Sequence, residues 1–390
     1  MAFRTACISI GVLFFPVTLS AQGLTPSNDI PRLESAVRAD SNDAQLHYQL
    51  AVAYWSRKRY DEAERSLRAA VSIERRFAGA YLALSYLPFA RRKQLFKEEA
   101  RRRVPPEWRD AVIEADRSRR LAFLINPLVD LQIMGAVIPT QESVLALRGG
   151  SVVLVLDPFS AFVRGDYRSA YAIFNSWVND KHFQGSARDS MPETLLWFRG
   201  ISAGHIAQYD TATSDFATLL ARGLNAERAS GALPLRTNDY RYILATLQYR
   251  AHRFPEAITL YKEALGNDLG LFMAHVQMGK IYEELKAWPD AIEHFRSAVA
   301  TNPDDPSLLL DLGIILREAG NLAESETTLQ EARQANRRDS RVPYHLGITL
   351  QEEGKKPQAR DAFMEFLLLA PSRYERQLTE VRQRLIALQP

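Results

Sequence analysis

In the last third of this 390-residue chain a small side chain returns every 34 residues, at Ala257, Ala291, Ser325 and Ala359. Four positions after each stands a large apolar residue, Tyr261, Phe295, Leu329 or Phe363, and three further on comes Ala264, Ala298, Ala332 or Phe366. Upstream, Gly279, Gly313 and Gly347 keep the same register, preceded by Met278, Leu312 and Leu346. A period of this length holds one pair of antiparallel helices, and so small a unit cannot bury its apolar face alone; copies must stack into a quasi-one-dimensional array. The small residue allows a close helix crossing, while the bulky residue one turn later is expected to fill the groove between neighbouring units. Gly320 and Gly354 fall where the turn between paired helices is needed, and Pro303 and Pro371 lie just beyond second helices.

The best-formed copy, MGKIYEELKAWPDAIEHFRSAVATNPDD, carries Gly279, Tyr282, Trp288, Ala291, Phe295, Ala298 and Pro303. With four copies in unbroken register, the chain resembles the tetratricopeptide repeat family. That resemblance implies an all-α fold: an α-solenoid, a right-handed superhelix of helix-turn-helix hairpins, with an irregular helical insertion in its middle. The four units are expected at about 238–271, 272–305, 306–339 and 340–373. A further unit, LAVAYWSRKRYDEAERSLRAAV, places Leu50, Ala51, Tyr54, Tyr60, Ala63, Leu67 and Ala70 within an N-terminal stretch 22–88, where a following helix begins at 78 and is expected to stop at Pro88. Degenerate copies in 151–237 surround Gly165, Tyr167, Ala170 and Phe174, then Gly200, Tyr209, Ala212 and Phe216. The closing stretch, 374–390, spaces Leu378, Val381, Leu385 and Leu388 as an amphipathic capping helix.

Residues 89–150 break the register. From Arg91 to Arg120 there are eleven Lys or Arg against six Asp or Glu. The Arg101-Arg102-Arg103 run could grip anionic lipid or glycan, but Glu98, Glu99 and Glu107 sit at pairing distance, which favours a solvated helix face. Pro105-Pro106 breaks one helix before Trp108 begins another. The following LAFLINPLVDLQIMGAVIP contains Pro127, Asp130 and Gln132; Asp at mid-bilayer costs about 3 kcal/mol, so this reads as an insertion packed on the solenoid rather than a membrane span. Beyond it, SVVLVLD at 151–157 suits a short strand or an extended apolar contact.

At the N-terminus, Arg4, the apolar run Ala6 to Leu19 and the small residues of Leu19-Ser20-Ala21 before Gln22 have the form of a cleaved export signal, 1–21, giving a periplasmic or secreted product. The lone Cys7 lies inside it, so the remainder can form no disulfide, thiolate metal site or cysteine nucleophile. Forty-nine basic and 46 acidic residues nearly cancel, to a net charge of +3, which argues against nucleic acid as partner.

Gly200-Ile201-Ser202-Ala203-Gly204, with His205 next, matches a nucleophile-elbow spacing and frames the alternative of a serine hydrolase around Ser202. Its surroundings, LLWFRGISAGHIAQYD, are helical in period, where an elbow needs a preceding strand; small residues for helix packing are the better reading. The seven histidines form no metal-ligand pair on one helical turn, and no phosphate-binding loop is present, so no metal, cofactor or catalytic residue is assigned. The expected function is a non-catalytic adaptor that binds a partner protein or peptide in its concave groove. Carried over register by register, the family's exposed first-helix positions are Tyr242, Tyr249, Arg250, Lys280, Glu284, Leu310, Arg317, Tyr344 and Gln351. Tyr and Arg are the residue types that most often dominate binding energy. The positions that carry the Lys and Asn of a chaperone-tail clamp hold other residues here, which argues against that ligand.

Overall fold

The computed structural model describes residues 29–95, 106–128, 161–162, 165–179, 193–230 and 235–388. Among them every regular element is an α-helix. The export signal at 1–21, the arginine run at 101–103 and the SVVLVLD stretch lie outside the described residues. An N-terminal group comprises α1 (Ile30–Ala39), α2 (Ala44–Ser56), α3 (Tyr60–Ile73), α4 (Ala78–Leu95) and α5 (Pro106–Ile125). Then come α6 (Tyr167–Asn179), α7 (Glu193–His205) and α8 (Tyr209–Ser230). The C-terminal array is α9 (Leu235–Arg250), α10 (Phe254–Asn267), α11 (Phe272–Glu284), α12 (Trp288–Thr301), α13 (Pro306–Glu318), α14 (Leu322–Ala335), α15 (Arg341–Glu352) and α16 (Lys356–Leu369), followed by α17 (Glu375–Ala387). Neighbours in sequence pack in pairs, α2 on α3, α4 on α5, α7 on α8, and so on through α15 on α16.

Local chemistry sets the helix boundaries. Asp43 Oδ1 accepts the amides of Gln45 and Leu46 at 2.8 and 3.4 Å, and Asp305 Oδ1 accepts that of Ser307 at 3.0 Å, each filling orphan donors of a first turn. Proline stands at the first or second position of α10, α12, α13 and α16, where a missing N–H costs nothing. Turns within the hairpins reverse through a left-handed residue: His252, Lys286, Gly320 and Gly354 have φ of 56°, 55°, 84° and 78° at the same repeat position. One expectation fails here. Pro88 does not stop the helix begun at Ala78; α4 continues through it to Leu95 and pairs with α5, so the N-terminal part of the insertion is a further hairpin.

A missing side chain governs how four of the hairpins close. A Cβ on Gly279 would lie 2.7 Å from the Phe295 ring, one on Gly313 2.6 Å from Leu329, one on Gly347 2.6 Å from Phe363, and one on Gly200 2.8 Å from Phe216. The bulky residue of the second helix therefore sits on the glycine of its own hairpin, not between neighbouring units as its spacing suggested. It is fully buried there: Phe216, Leu329 and Phe363 are 0% exposed. Where serine replaces alanine at the crossing, its hydroxyl is satisfied, Ser325 Oγ donating to Gly313 O at 2.7 Å.

The chain also turns back on itself. Arg76, in the α3–α4 turn, donates to Ser307 Oγ and Ser307 O at 2.6 Å each and pairs with Asp311 at 2.6 Å. Asn42 donates to Arg338 O at 2.9 Å and Leu369 O at 2.7 Å, Ser372 N donates to Asp40 at 2.7 Å, and Arg373 pairs with Asp43 at 3.1 Å. Turns of the N-terminal hairpins thus meet the linkers between C-terminal hairpins, some 230 to 330 residues away along the chain.

If the glycine crossing is the packing constraint, Gly347→Val should cost about 3 kcal/mol, the upper end for overpacking. Phe363→Ala should cost about 3–5 kcal/mol as a cavity. In a double-mutant cycle by urea unfolding the pair should lose at least about 1 kcal/mol less than the sum, because the two changes relieve each other. Gly320→Ala, with open space around its Cβ, should cost only the about 1–2 kcal/mol of a left-handed backbone. Strict additivity at positions 347 and 363 would refute the crossing argument.

Candidate first-helix interaction face

Of the expected groove residues, two are not surface groups. Tyr242 is 1% and Leu310 2% exposed, at equivalent points of α9 and α13, where the family register places an open position. Tyr242 is covered by α5: its hydroxyl donates to Leu124 O at 2.5 Å and its ring lies 5.7 Å from that of Phe123. Burial pushes its phenol well above the ordinary range. The correction has a physical cause, since a register fixes which way a residue faces along the array but not whether another part of the chain lies over it.

Five of the remaining positions, Tyr249, Glu284, Arg317, Tyr344 and Gln351, bond to a neighbouring hairpin or to α17. Tyr249 Oη donates to Glu284 at 3.1 Å, Arg317 Nη1 to Glu352 at 3.1 Å, Tyr344 Oη to Glu380 at 2.9 Å, and Arg384 donates to Gln351 at 2.9 Å. Burial, then the Glu284 hydrogen bond, raises the Tyr249 phenol to about 12. Arg250 donates to Asn126 at 3.3 Å, beside the end of α5. Lys280 is partly exposed and Glu284 exposed. Half-buried Glu283, not singled out from the sequence, has its carboxyl raised by burial first; Lys280 lowers it, while Glu318, Asp311 and Glu284 add to the rise. Around these residues the face is a ladder of polar cross-links, open along one edge and covered along the other.

Ser202 is 0% exposed in the last turn of α7, its Oγ donating to Phe198 O at 2.8 Å. Gly200 admits the Phe216 ring, a Cβ on Gly204 would meet Leu247 at 2.9 Å and Leu128 at 3.1 Å, and His205 stacks on Tyr167 at 3.8 Å between centroids. Helix in place of an elbow, and a buried hydroxyl bonded to its own backbone, make this serine a packing residue. One histidine pair escaped sequence reading, because its members sit on different helices: His275 and His294 Nδ1 atoms lie 3.1 Å apart, with Tyr282 stacked on His294. Among the described residues no three His, Cys, Asp or Glu side chains gather as a metal site, and no helix is long and apolar enough to cross a membrane.

Tetratricopeptide repeat family models match the chain twice, at residues 30–81 and 282–343. The chain carries tetratricopeptide repeats at both stretches. A tetratricopeptide array is a protein-interaction scaffold, and this chain carries one. Among curated proteins it is similar to the cytochrome c-type biogenesis protein CycH of Bradyrhizobium diazoefficiens, 29% identical over 98 residues, which is 24% of this chain and 27% of that protein. The match thus spans about a quarter of that relative's length. Among solved structures it is similar to the C-terminal part of a TPR repeat-containing protein from Cytophaga hutchinsonii, at 14% identity and TM-score 0.46, covering 58% of this chain and 84% of that one. Another is YrrB, described as a TPR protein with an unusual peptide-binding site, at 14% identity and TM-score 0.37, covering 48% and 89%. A third is MamA, at 15% identity and TM-score 0.39, covering 45% and 90%.

This tetratricopeptide array contains a titratable group within reach of mild acid. His345 carries a buried Nδ1 without a hydrogen-bond partner. Burial first, then the Arg317 and Arg341 guanidinium groups, push its imidazole from 6.5 down to about 4. The unfolded chain takes up that proton more readily than the folded one, so the stability His345 contributes is complete above pH 6.5 and is lost as pH falls towards 4. Between pH 7.5 and 5 the protein should therefore lose about 2 kcal/mol more, by urea unfolding, than its His345→Gln variant. Parallel losses in the two proteins would contradict this.

Proposed function

We propose that the protein is a non-catalytic adaptor of the exported compartment, periplasmic or secreted, that holds a partner protein or peptide on the concave, first-helix face of its C-terminal repeats. The observation that carries this reading is the open edge of that face. Tyr249, Lys280, Glu284, Arg317 and Gln351 stand there in successive hairpins, partly exposed or at the surface, mixing aromatic, cationic and anionic groups at repeat spacing. Such an edge suits an extended or helical segment that is read by several hairpins at once. The packing role of Ser202 favours a non-catalytic chain. The compartment is supported by the N-terminal pattern of Arg4, Ala6 to Leu19 and Ala21, and by the likeness to a cytochrome c-type biogenesis protein.

The basic segment offers less to a lipid or glycan surface than its composition implies. Arg91 pairs with Asp61 and Glu64 at 2.6 Å, and Arg120 with Asp239 at 2.9 Å and Asp268 at 2.5 Å. Two of its cations are thereby spent on the protein's own carboxylates.

Affinity capture from the cell envelope tests the reading, with the wild-type chain beside a Tyr249→Ala, Lys280→Glu, Glu284→Lys variant. The wild type should retain a partner and the variant should lose it by at least about tenfold, the effect of removing one or two binding hot spots. Equal retention by the two proteins would place the binding surface elsewhere and overturn this assignment. Sequencing the N-terminus of the exported protein should begin at Gln22; an intact Met1 in the envelope would contradict cleavage.

A further inference from the structure

The contact between α5 and α9 differs in kind from the contacts that build the hairpins. Paired helices close by seating a bulky apolar residue on a glycine or alanine. By contrast, α5 already has α4 as its hairpin partner, and it meets α9 through a row of directional contacts. Arg120 spans two carboxylates, Asp239 of α9 at 2.9 Å and Asp268 of the α10–α11 linker at 2.5 Å. Phe123 lies against the Tyr242 ring at 5.7 Å, and Leu124 presents its carbonyl to the Tyr242 hydroxyl at 2.5 Å. Asn126 accepts from Arg250 at 3.3 Å, and Leu128, 0% exposed, fills the notch that Gly204 leaves between α7 and Leu247.

An arginine on paired carboxylates, an aromatic anchor on a tyrosine, one backbone hydrogen bond and a terminal amide are the means by which a helical segment is recognised in a groove. Three of the receptor residues, Asp239, Tyr242 and Arg250, lie on the first helix of a single repeat, and Asp268 follows the second helix of that repeat, in a family fold whose partners are expected on that face. Three of the four, Asp239, Arg250 and Asp268, are partly exposed around the buried Tyr242, so the site has an apolar centre and a polar rim.

We propose that the α9 face, with Asp239, Tyr242, Arg250 and Asp268, is a recognition site for a helical protein segment, and that α5 fills it in cis as a built-in competitor. The partner it fits carries the same chemistry as residues 120–126: an arginine, an aromatic-aliphatic pair three residues later, and an amide side chain two residues beyond that pair. This deepens the adaptor reading and rests on it, since it names the class of partner and the contact that partner must displace. A competitor on the same chain binds intramolecularly, so only a segment that outbids it can enter. With α5 in place, desolvation raises the Asp239 carboxyl and Arg120 lowers it in part.

The test uses the full-length chain and a fluorescein-labelled peptide of residues 113–128, read by fluorescence anisotropy. Arg120→Glu with Phe123→Ala in the protein weakens the tethered copy and should let the peptide bind at least about tenfold more tightly than to wild type. Adding Asp239→Asn or Tyr242→Phe to that variant should weaken binding again. So should Arg120→Glu in the peptide. Absence of binding to a variant that retains its helical circular dichroism would overturn the proposal, as would binding indifferent to Asp239→Asn. If the variant does not fold, hydrogen exchange on the wild type decides: amides of 113–125 should exchange faster than those of α11, through release of α5 alone, and exchange only by global unfolding would make α5 a fixed wedge. A partner still captured through Tyr249, Lys280 and Glu284 while the peptide fails would sink this proposal and leave the adaptor reading standing.

Discussion

Four of the hairpins depend on the absence of one side chain. At Gly200, Gly279, Gly313 and Gly347 the ring or branched end of a second-helix residue occupies the volume where a Cβ would be, at 2.6 to 2.8 Å. That contact sets how closely the two helices cross, and through the crossing it sets where the other faces of the first helix point. The same period that places the glycine then delivers Tyr242, Val276, Leu310 and Tyr344 to one row and Tyr249, Glu283, Arg317 and Gln351 to another. A lateral shift in one hairpin would pull apart the Tyr249–Glu284 and Arg317–Glu352 links to the next, so packing inside the units and registry between them are one constraint.

A solenoid of this kind ordinarily makes contacts only between neighbours. Here the N-terminal hairpins lie back on the C-terminal ones through turn residues, and Arg76, Arg373, Asn42 and Arg120 supply the bonds. Most of these side chains are partly exposed, and exposed ion pairs contribute little, about 0–1 kcal/mol each. Arg76 differs, its side chain only 15% exposed and its guanidinium shared between Ser307 and Asp311. The closure is therefore strongest at its middle and weakest at its ends, where Arg120 and Arg373 are each 39% exposed. The α5 contact with α9 lies at one of those weak ends, which is where a competing segment meets least resistance.

The periodic part of the architecture was legible because packing is periodic. Ala257, Ala291, Ser325 and Ala359 announce hairpins at a fixed spacing, and the helices stand where that spacing puts them. What the period could not convey was contact between residues far apart in sequence. Arg120 reads as one charge in a basic run until Asp239 and Asp268 stand beside it, and Tyr242 reads as an open groove residue until Leu124 caps its hydroxyl. Pro88 misled for a related reason: a local rule against proline inside helices was outweighed by the pairing of α4 with α5 along their length. Ser202 went the other way, since the helical period around it already argued against an elbow and α7 runs through it.

The residues open to a partner are the same ones that tie hairpin to hairpin, and this couples binding to the shape of the array. A ligand carboxylate that drew Arg317 away from Glu352, or a cation that took Glu284 from Tyr249, would exchange a link between repeats for a link to the ligand. The net gain of such an exchange is small, because a satisfied hydrogen bond is traded for another. Affinity on this face must therefore come from groups whose needs are poorly met in the free protein. Glu283, half-buried among Glu318, Asp311 and Glu284, is such a group, and so is Asp239, whose carboxyl burial raises and Arg120 lowers only in part. Both are carboxylates that burial disfavours, and they stand in first helices of adjacent hairpins on either side of the α10–α11 linker. A cationic segment laid across that junction gains where an anionic one would only displace existing bonds, so the sign of the partner's charge follows from which of the array's own groups are left wanting.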